Sequence, residues 1–307
     1  MTGGRGFPDG PRVALVTGAS GGIGFVMARS LALQGFHVVM GCRDLAKSEP
    51  LRAAIETEAR ASTAAGPGAR VDLLRVDFAS LASVRAFADE VAARYGRLDA
   101  VLANAGTFSY RREVTEDGFE RTLAVNYLGM ALMLDRLAPL LRATGARTGD
   151  VRVVATTSIA SYWGRVSPTV RFFRRVPAFL RAYAASKLAQ VLFVLQFAEE
   201  MRGTGVAANL FHPGVVATGI FKGRTVFAKL LDAYMQRTAL SPEEGAAWGI
   251  RLASASEYAG RTGGFYAKEG LQGLSRRMRD RTLRARFVAA TREAAEEDGA
   301  GRKAPPP

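Results

Sequence analysis

The sequence predicts an α/β fold, a doubly wound parallel sheet in a single domain, on three observations. Short apolar runs alternate with stretches of helical periodicity from Arg12 to about Ala267, the pitch that builds a parallel sheet with helices on both faces. A glycine-rich turn, Thr17-Gly-Ala-Ser-Gly-Gly-Ile-Gly24, follows the first apolar run directly. The chain has 307 residues, 48% of them apolar, enough for one large folded domain and far from the composition of a disordered one.

Seven runs read as strands: Val13–Thr17, Phe36–Gly41, Val71–Val76, Ala100–Ala103, Val151–Thr156, Val206–Phe211 and Gly264–Ala267. Leu81, Val84, Phe87, Ala88 and Val91 recur at three- and four-residue steps and mark a helix between the third and fourth. Residues 159–181, basic and Pro-containing, read as an insertion before a helix that starts near Tyr183. Residues 214–240 form a second irregular stretch, ended by the helix start Ser241-Pro-Glu-Glu244. The domain is expected over 11–296, with a flexible tail over 1–10 and a disordered one over 297–307. Such sheets bind ligands beyond the carboxyl ends of their strands, so the chemistry is sought just after each strand.

Composition narrows the classes. Cys42 is the one cysteine, which excludes an internal disulfide or a multi-thiolate metal site. Two histidines, His37 and His212, are too few for a structural zinc. No uninterrupted run of about 18 apolar residues appears, and Met1 to Pro11 has no apolar signal core. A soluble, cytoplasmic protein without a transmembrane segment is expected.

The net charge is +14, and the excess is local. Residues 165–181 carry Arg165, Arg171, Arg174, Arg175 and Arg181 with no acid; residues 275–292 carry seven arginines against Asp280. Nucleic acid is not the expected partner, because no recognised module or aromatic interleaving accompanies the charge. The first patch is either a solvated loop face or a surface that steers an anionic substrate, an acidic partner or a membrane. The second reads as an amphipathic helix through Met278, Leu283, Phe287 and Val288. It is expected on a sheet edge or a second subunit of a homo-oligomer, with peripheral membrane contact as the alternative.

In the glycine turn, Gly18 permits the tight bend, Gly22 lets backbone approach a pyrophosphate, and Gly24 lets helix and strand pack closely. The helix start supplies free N–H groups and a partial positive charge for a diphosphate. About 20 residues further on, an NAD site needs an acid for the ribose 2′-hydroxyl. The sequence there is Gly41-Cys42-Arg43-Asp44. A guanidinium suits a 2′-phosphate, whose oxygens it binds in pairs. NADP(H) is therefore the expected cofactor, unless Arg43 is a solvated loop cation and Asp44 a helix cap. Asp77 serves either the adenine amine or its own turn.

Tyr183-Ala-Ala-Ser-Lys187 puts a phenol and an amine on one helix face. A tyrosine with a pKa near 10 is a poor proton shuttle at neutral pH, and a nearby ammonium is expected to lower it.

With these motifs in order, residues 11–270 resemble the short-chain dehydrogenase/reductase family, a Rossmann-type fold. The resemblance rests on the glycine loop, Asp77, Asn104-Ala-Gly106, Asn126, Ser158, Tyr183 with Lys187, and His212-Pro-Gly214 with Thr218. Gly41-Cys-Arg-Asp44 and the run Tyr183 to Phe193 look most like the branch of retinol dehydrogenases and protochlorophyllide reductases, typically NADP(H)-dependent. It implies that Tyr183 passes a proton to or from the substrate oxygen, and that Lys187 binds the nicotinamide ribose and biases Tyr183. It further implies that Ser158 polarises the carbonyl and that Asn126, inside a long helix, holds a water linking Lys187 to solvent. Thr156, Thr157 and Ser161 are hydroxyl neighbours that a one-residue slip would substitute for Ser158. Cofactor contacts are implied at Gly18, Ser20, Gly22, Ile23, Gly24, Arg43, Asp77, Phe78, Asn104, Ala105, Gly106, Tyr183, Lys187, Pro213, Gly214, Val216 and Thr218. No metal is implied.

By the same resemblance, residues 159–181 and 214–240 frame the substrate mouth. Tyr162, Trp163, Phe172, Phe173, Phe179, Phe221, Phe227 and Tyr234 either line it or pack the loops down. The expected activity is reduction of a ketone or aldehyde, or oxidation of the alcohol, on a bulky apolar molecule. A catalytically idle nucleotide-sensing scaffold and a cofactor-retaining epimerase or dehydratase are the alternatives.

Overall fold

The computed structural model describes residues 10–109, 111–175, 180–215 and 240–297. Val216, Thr218, Phe179, Phe221, Phe227 and Tyr234 lie outside these residues, as do nearly all of both expected tails. The first half alternates β1 (Val13–Thr17), α1 (Gly22–Leu33), β2 (His37–Cys42), α2 (Leu45–Ala61), β3 (Val71–Arg75), α3 (Leu81–Arg94) and β4 (Ala100–Ala103). A short helix α4 (Arg121–Leu123) runs through a π turn (Ala124–Leu128) into α5 (Gly129–Thr148), followed by β5 (Val151–Thr156). A 3-10 turn (Ile159–Tyr162) then leads to α6 (Val170–Arg175), α7 (Leu180–Glu200) and β6 (Val206–Phe211). The remainder comprises α8 (Pro242–Ser254), a 3-10 turn (Ser256–Tyr258), β7 (Phe265–Ala267), β8 (Gly270–Leu271), α9 (Arg276–Arg279) and α10 (Arg281–Glu297).

The eight strands form one sheet in the order β3-β2-β1-β4-β5-β6-β7-β8. All neighbours are parallel except β7 and β8. The strands read as continuous apolar runs because helices cover both faces. One face packs into a core shared with α3, α5, α7 and α10, through side chains such as Val39, Val101, Val153 and Phe193. The other packs on α1 and α8 through Met27, Leu31, Val38, Leu102 and Leu252. The order reverses between β3 and β4, so β1 and β4 lie side by side and a crevice opens at their carboxyl ends.

That crevice is fastened by polar groups. The Thr17 hydroxyl accepts the Asn104 and Ala105 amides, and the Asn104 amide side chain donates to the Thr17 carbonyl. Gly18 has φ +65°, the left-handed region. Gly24 leaves no room for a side chain: a Cβ there would fall 2.2 Å from the Gly18 carbonyl oxygen and 2.6 Å from Asn104 Nδ2.

The structure departs from the expected strand count and from the expected place of the C-terminal helix, and it decides one open alternative. The basic C-terminal segment does not sit on a sheet edge: α10 packs on α5, α6 and α7 of its own chain. Phe287 lies against Tyr127 and Phe173, and Arg292 pairs with both Asp135 and Glu200. Phe172 and Phe173 join this cluster and so pack the insertion down instead of facing the mouth. The sheet also has an eighth strand, a two-residue hairpin partner too short to show periodicity. Among the described residues no helix is long and apolar enough to cross a membrane.

Gly24→Ala is expected to lower stability by about 1–3 kcal/mol, read from urea denaturation. An unchanged midpoint would contradict the packing of loop, strand and Asn104.

Candidate active site

The glycine loop places the start of α1 at the crevice. Its N-cap residue, Gly21, makes no side-chain cap, and the first turn holds no acid. The amides of that turn are therefore available to an anion, and the helix dipole favours one. Ile23 is buried beneath the loop and Ser20 is partly exposed on it. Beside it, Cys42 ends β2 buried, its thiol pushed up by loss of solvent. Arg43 follows, exposed and without an ion pair among the described residues, while Asp44 caps α2 by accepting the Lys47 amide. The end of β2 thus offers a guanidinium and no free carboxylate directed at a ribose. These residues fit a phosphorylated dinucleotide: unfilled amides for the diphosphate and an unpaired cation for a 2′-phosphate.

The remaining expected contacts fall around the same crevice with differing freedom. Asp77 spends one carboxylate oxygen on the Ala79 amide, closing its own turn. Phe78 is buried, with Gly129 packed onto it. Asn104 is a strut, donating to Thr17 and accepting from the Thr156 hydroxyl. Ala105 is held by Thr17, and Gly106 lies between Asn126 and Lys187, each within 4 Å of where its Cβ would be. Pro213 is partly exposed and Gly214 follows at φ +79°, its amide donating to His212 Nδ1.

The catalytic candidates converge where β5 ends against α7. Four hydroxyls follow one another there, and each has different surroundings. Thr156 bonds Asn104, and Thr157 donates to the Lys187 carbonyl at 3.1 Å. Ser161 is buried without a partner. Ser158 alone of the four acts on the Tyr183 phenol, favouring its ionised form, while its oxygen accepts the Ala160 amide. Lys187, one turn beyond Tyr183, is buried; its Nζ donates to the Thr156 carbonyl at 3.3 Å and lies 5.6 Å from the Tyr183 ring centroid.

Asn126 sits in the π turn, not in a regular helix as expected. π-Bulges recur at functional sites; here the turn directs the side chain into a clip. Asn126 Oδ1 accepts the Thr107 amide at 2.6 Å, and Nδ2 donates to the Thr107 carbonyl and Ser186 Oγ. Its backbone carbonyl accepts from Gln190 Nε2 at 2.8 Å.

The electrostatics reverse one expectation. Burial pushes the Tyr183 phenol above its ordinary value, and the Ser158 hydrogen bond only partly offsets this. The same burial draws Lys187 down to about 7. Desolvation penalises the charged form of both groups, so spacing alone misjudges the sign. Several supporting residues escaped the sequence reading. Phe108 packs edge-on against Tyr183 at 5.3 Å, Ser186 and Gln190 lock Asn126 to α7, and Thr17 ties the two loops. Only the i, i+3 and i, i+7 positions of Ser186 and Gln190 relative to Tyr183 hinted at this face.

The short chain dehydrogenase family profile matches residues 12–226. Polyprenol dehydrogenase of Mus musculus is 37% identical over 265 residues, covering 85% of this chain and 77% of that protein. Retinol dehydrogenase 14 of Homo sapiens is 34% identical over 266 residues, covering 83% and 77%. Among solved structures, a short chain dehydrogenase from Burkholderia cenocepacia in complex with NADP superposes with a TM-score of 0.63 at 28% identity. That alignment covers 83% of this chain and 95% of the other.

A folded-state pKa below the unfolded one makes the ammonium of Lys187 a burden on folding. The burden is full below about pH 7 and fades as pH rises from there toward the ordinary lysine value. Lys187→Met should therefore raise the melting temperature more at pH 6 than at pH 9.5, measured without added dinucleotide. A shift independent of pH would contradict the buried amine.

Proposed function

The chain belongs to the short-chain dehydrogenases, and on that footing we propose that it is an NADP(H)-dependent oxidoreductase acting on a bulky apolar carbonyl compound or the corresponding alcohol. The observation that carries this is the meeting of Ser158, Tyr183 and Lys187 at the end of β5, on the same side of the sheet as the glycine loop. Two relatives are named for apolar alcohols, retinol and polyprenol, and a structural neighbour was solved with NADP. These names support the substrate class and the cofactor.

When bound, NADP(H) would supply or take up the hydride. The amides at the start of α1 would hold its diphosphate, and Arg43 its 2′-phosphate. Ser158 would hydrogen-bond the substrate oxygen and fix it beside Tyr183. The Tyr183 phenol would donate its proton to that oxygen during reduction, leaving a phenolate, and in oxidation the phenolate would take the proton from the alcohol. A raised pKa keeps Tyr183 protonated at neutral pH, the form that reduction requires. Lys187, buried and near its midpoint at neutral pH, can give and regain a proton beside the partly exposed Tyr183. The Asn126 clip holds the loop after β4 against α7 and so fixes the floor under both groups.

Two outcomes test the assignment. Tyr183→Phe should cost at least about a hundredfold in turnover with a ketone panel followed by NADPH absorbance, with dinucleotide binding retained. Near-normal turnover would remove Tyr183 from its role. Arg43→Ala should weaken NADP(H) by about ten- to a hundredfold and leave NAD(H) little changed. Equal losses for both would exclude phosphate recognition by Arg43.

A further inference from the structure

Of the seven large apolar side chains exposed among the described residues, four lie on segments joined beside Ser158 and Tyr183: Ile159, Trp163, Leu180 and Leu271. Ile159 follows Ser158 directly, and Leu180 precedes Tyr183 by one helical turn. Trp163, 70% exposed, ends the 3-10 turn. Leu271 lies in β8, the edge strand. The segments are fastened to one another. The Tyr162 hydroxyl donates to the Gly273 carbonyl at 2.7 Å, and Tyr162 stacks on Phe265 of β7. Arg277 donates to the Gly164 carbonyl at 2.9 Å, and Gly164 abuts the backbone of Ala184 in α7.

The same segments carry the surplus charge. Arg165, Arg181, Arg276 and Arg279 are exposed and make no ion pair among the described residues. The carboxylates nearest Arg276 and Arg279 in sequence are Asp280, whose side chain caps α10 on the Leu283 amide, and Glu269 in the β7–β8 turn. By contrast, Arg281, Arg284 and Arg292 of α10 are all paired with acids of α5 or α7. On α10 only Arg286 stays exposed without an ion pair among the described residues, so most of the segment's unpaired charge lies at its start, beside β8.

From this juxtaposition we infer that the rim formed by residues 159–165, the start of α7, β8 and α9 docks on an anionic lipid bilayer. Exposed tryptophan and aliphatic side chains enter the headgroup boundary, and flanking arginines meet anionic headgroups. Neither signal suffices alone, because stable interfacial binding generally takes both apolar insertion and a cluster of basic charge. An acidic protein would satisfy the arginines but give Ile159, Trp163 and Leu180 no reason to stand exposed around a catalytic entrance. Docking here turns Ser158 and Tyr183 toward the phase in which a bulky apolar substrate dissolves. The inference rests on the proposed function only in taking these two residues to mark the way in.

The test uses the full chain with vesicles of phosphatidylcholine alone and of phosphatidylcholine with phosphatidylserine. Co-sedimentation is expected with the anionic vesicles and should weaken as salt rises. Emission should shift to the blue on binding, and the shift should vanish in Trp163→Phe, since Trp248, the other tryptophan, is stacked on Tyr266. The triple variant Arg165→Glu, Arg276→Glu, Arg279→Glu should bind at least about a hundredfold more weakly at an unchanged melting temperature. No binding to anionic vesicles, equal binding to both kinds, or a blue shift that survives Trp163→Phe would overturn the inference. Capture by polyglutamate with none by vesicles would also overturn it and assign the rim to an acidic protein. Vesicle binding is read without turnover, so its failure leaves the oxidoreductase assignment standing.

Discussion

One buried amine organises the site. Among the described residues Lys187 has a single hydrogen-bond acceptor, the Thr156 carbonyl, and no carboxylate acts on it. An unpaired ammonium in such a place is costly, and the surrounding structure is built around tolerating it. Thr157 clamps the Lys187 backbone to the end of β5, Asn126 holds the neighbouring loop, and Gly106 leaves space beside the amine. The amine relieves the cost by giving up its proton near neutrality, the range in which a proton relay is useful.

The dinucleotide side of the crevice follows the opposite logic. There the polar groups are left unfilled among the described residues: first-turn amides without a side-chain cap, and an arginine without an acid. Both halves hang on the junction of β1 and β4, where Thr17 and Asn104 exchange hydrogen bonds and Gly24 accepts no side chain. A rigid seam of backbone contacts thus sets the distance between an anion-binding helix start and a buried proton donor.

Much of this was legible in the sequence, for physical reasons. Strands buried on both faces appear as unbroken apolar runs, so seven of them show, with ends displaced by at most a residue or so. Glycines forced by close contact stand out in a turn, and Tyr183 and Lys187 share a helix face by spacing alone. What escaped depended on burial or on long-range partners. Phe173 in a basic insertion reads the same whether it faces a mouth or a core, and only the arrival of α10 decides. The π turn at Asn126 leaves no local signature. The raised pKa of Tyr183 follows from desolvation, which spacing does not reveal.

The most direct test is a carbon-13 NMR titration of the lysine Cε signals, because the chain has six lysines and only Lys187 is buried in the described structure. One resonance, absent from Lys187→Met, should titrate near pH 7. If every lysine instead titrates in the ordinary alkaline range, the amine is solvated, and Lys187 is not the desolvated proton relay described above.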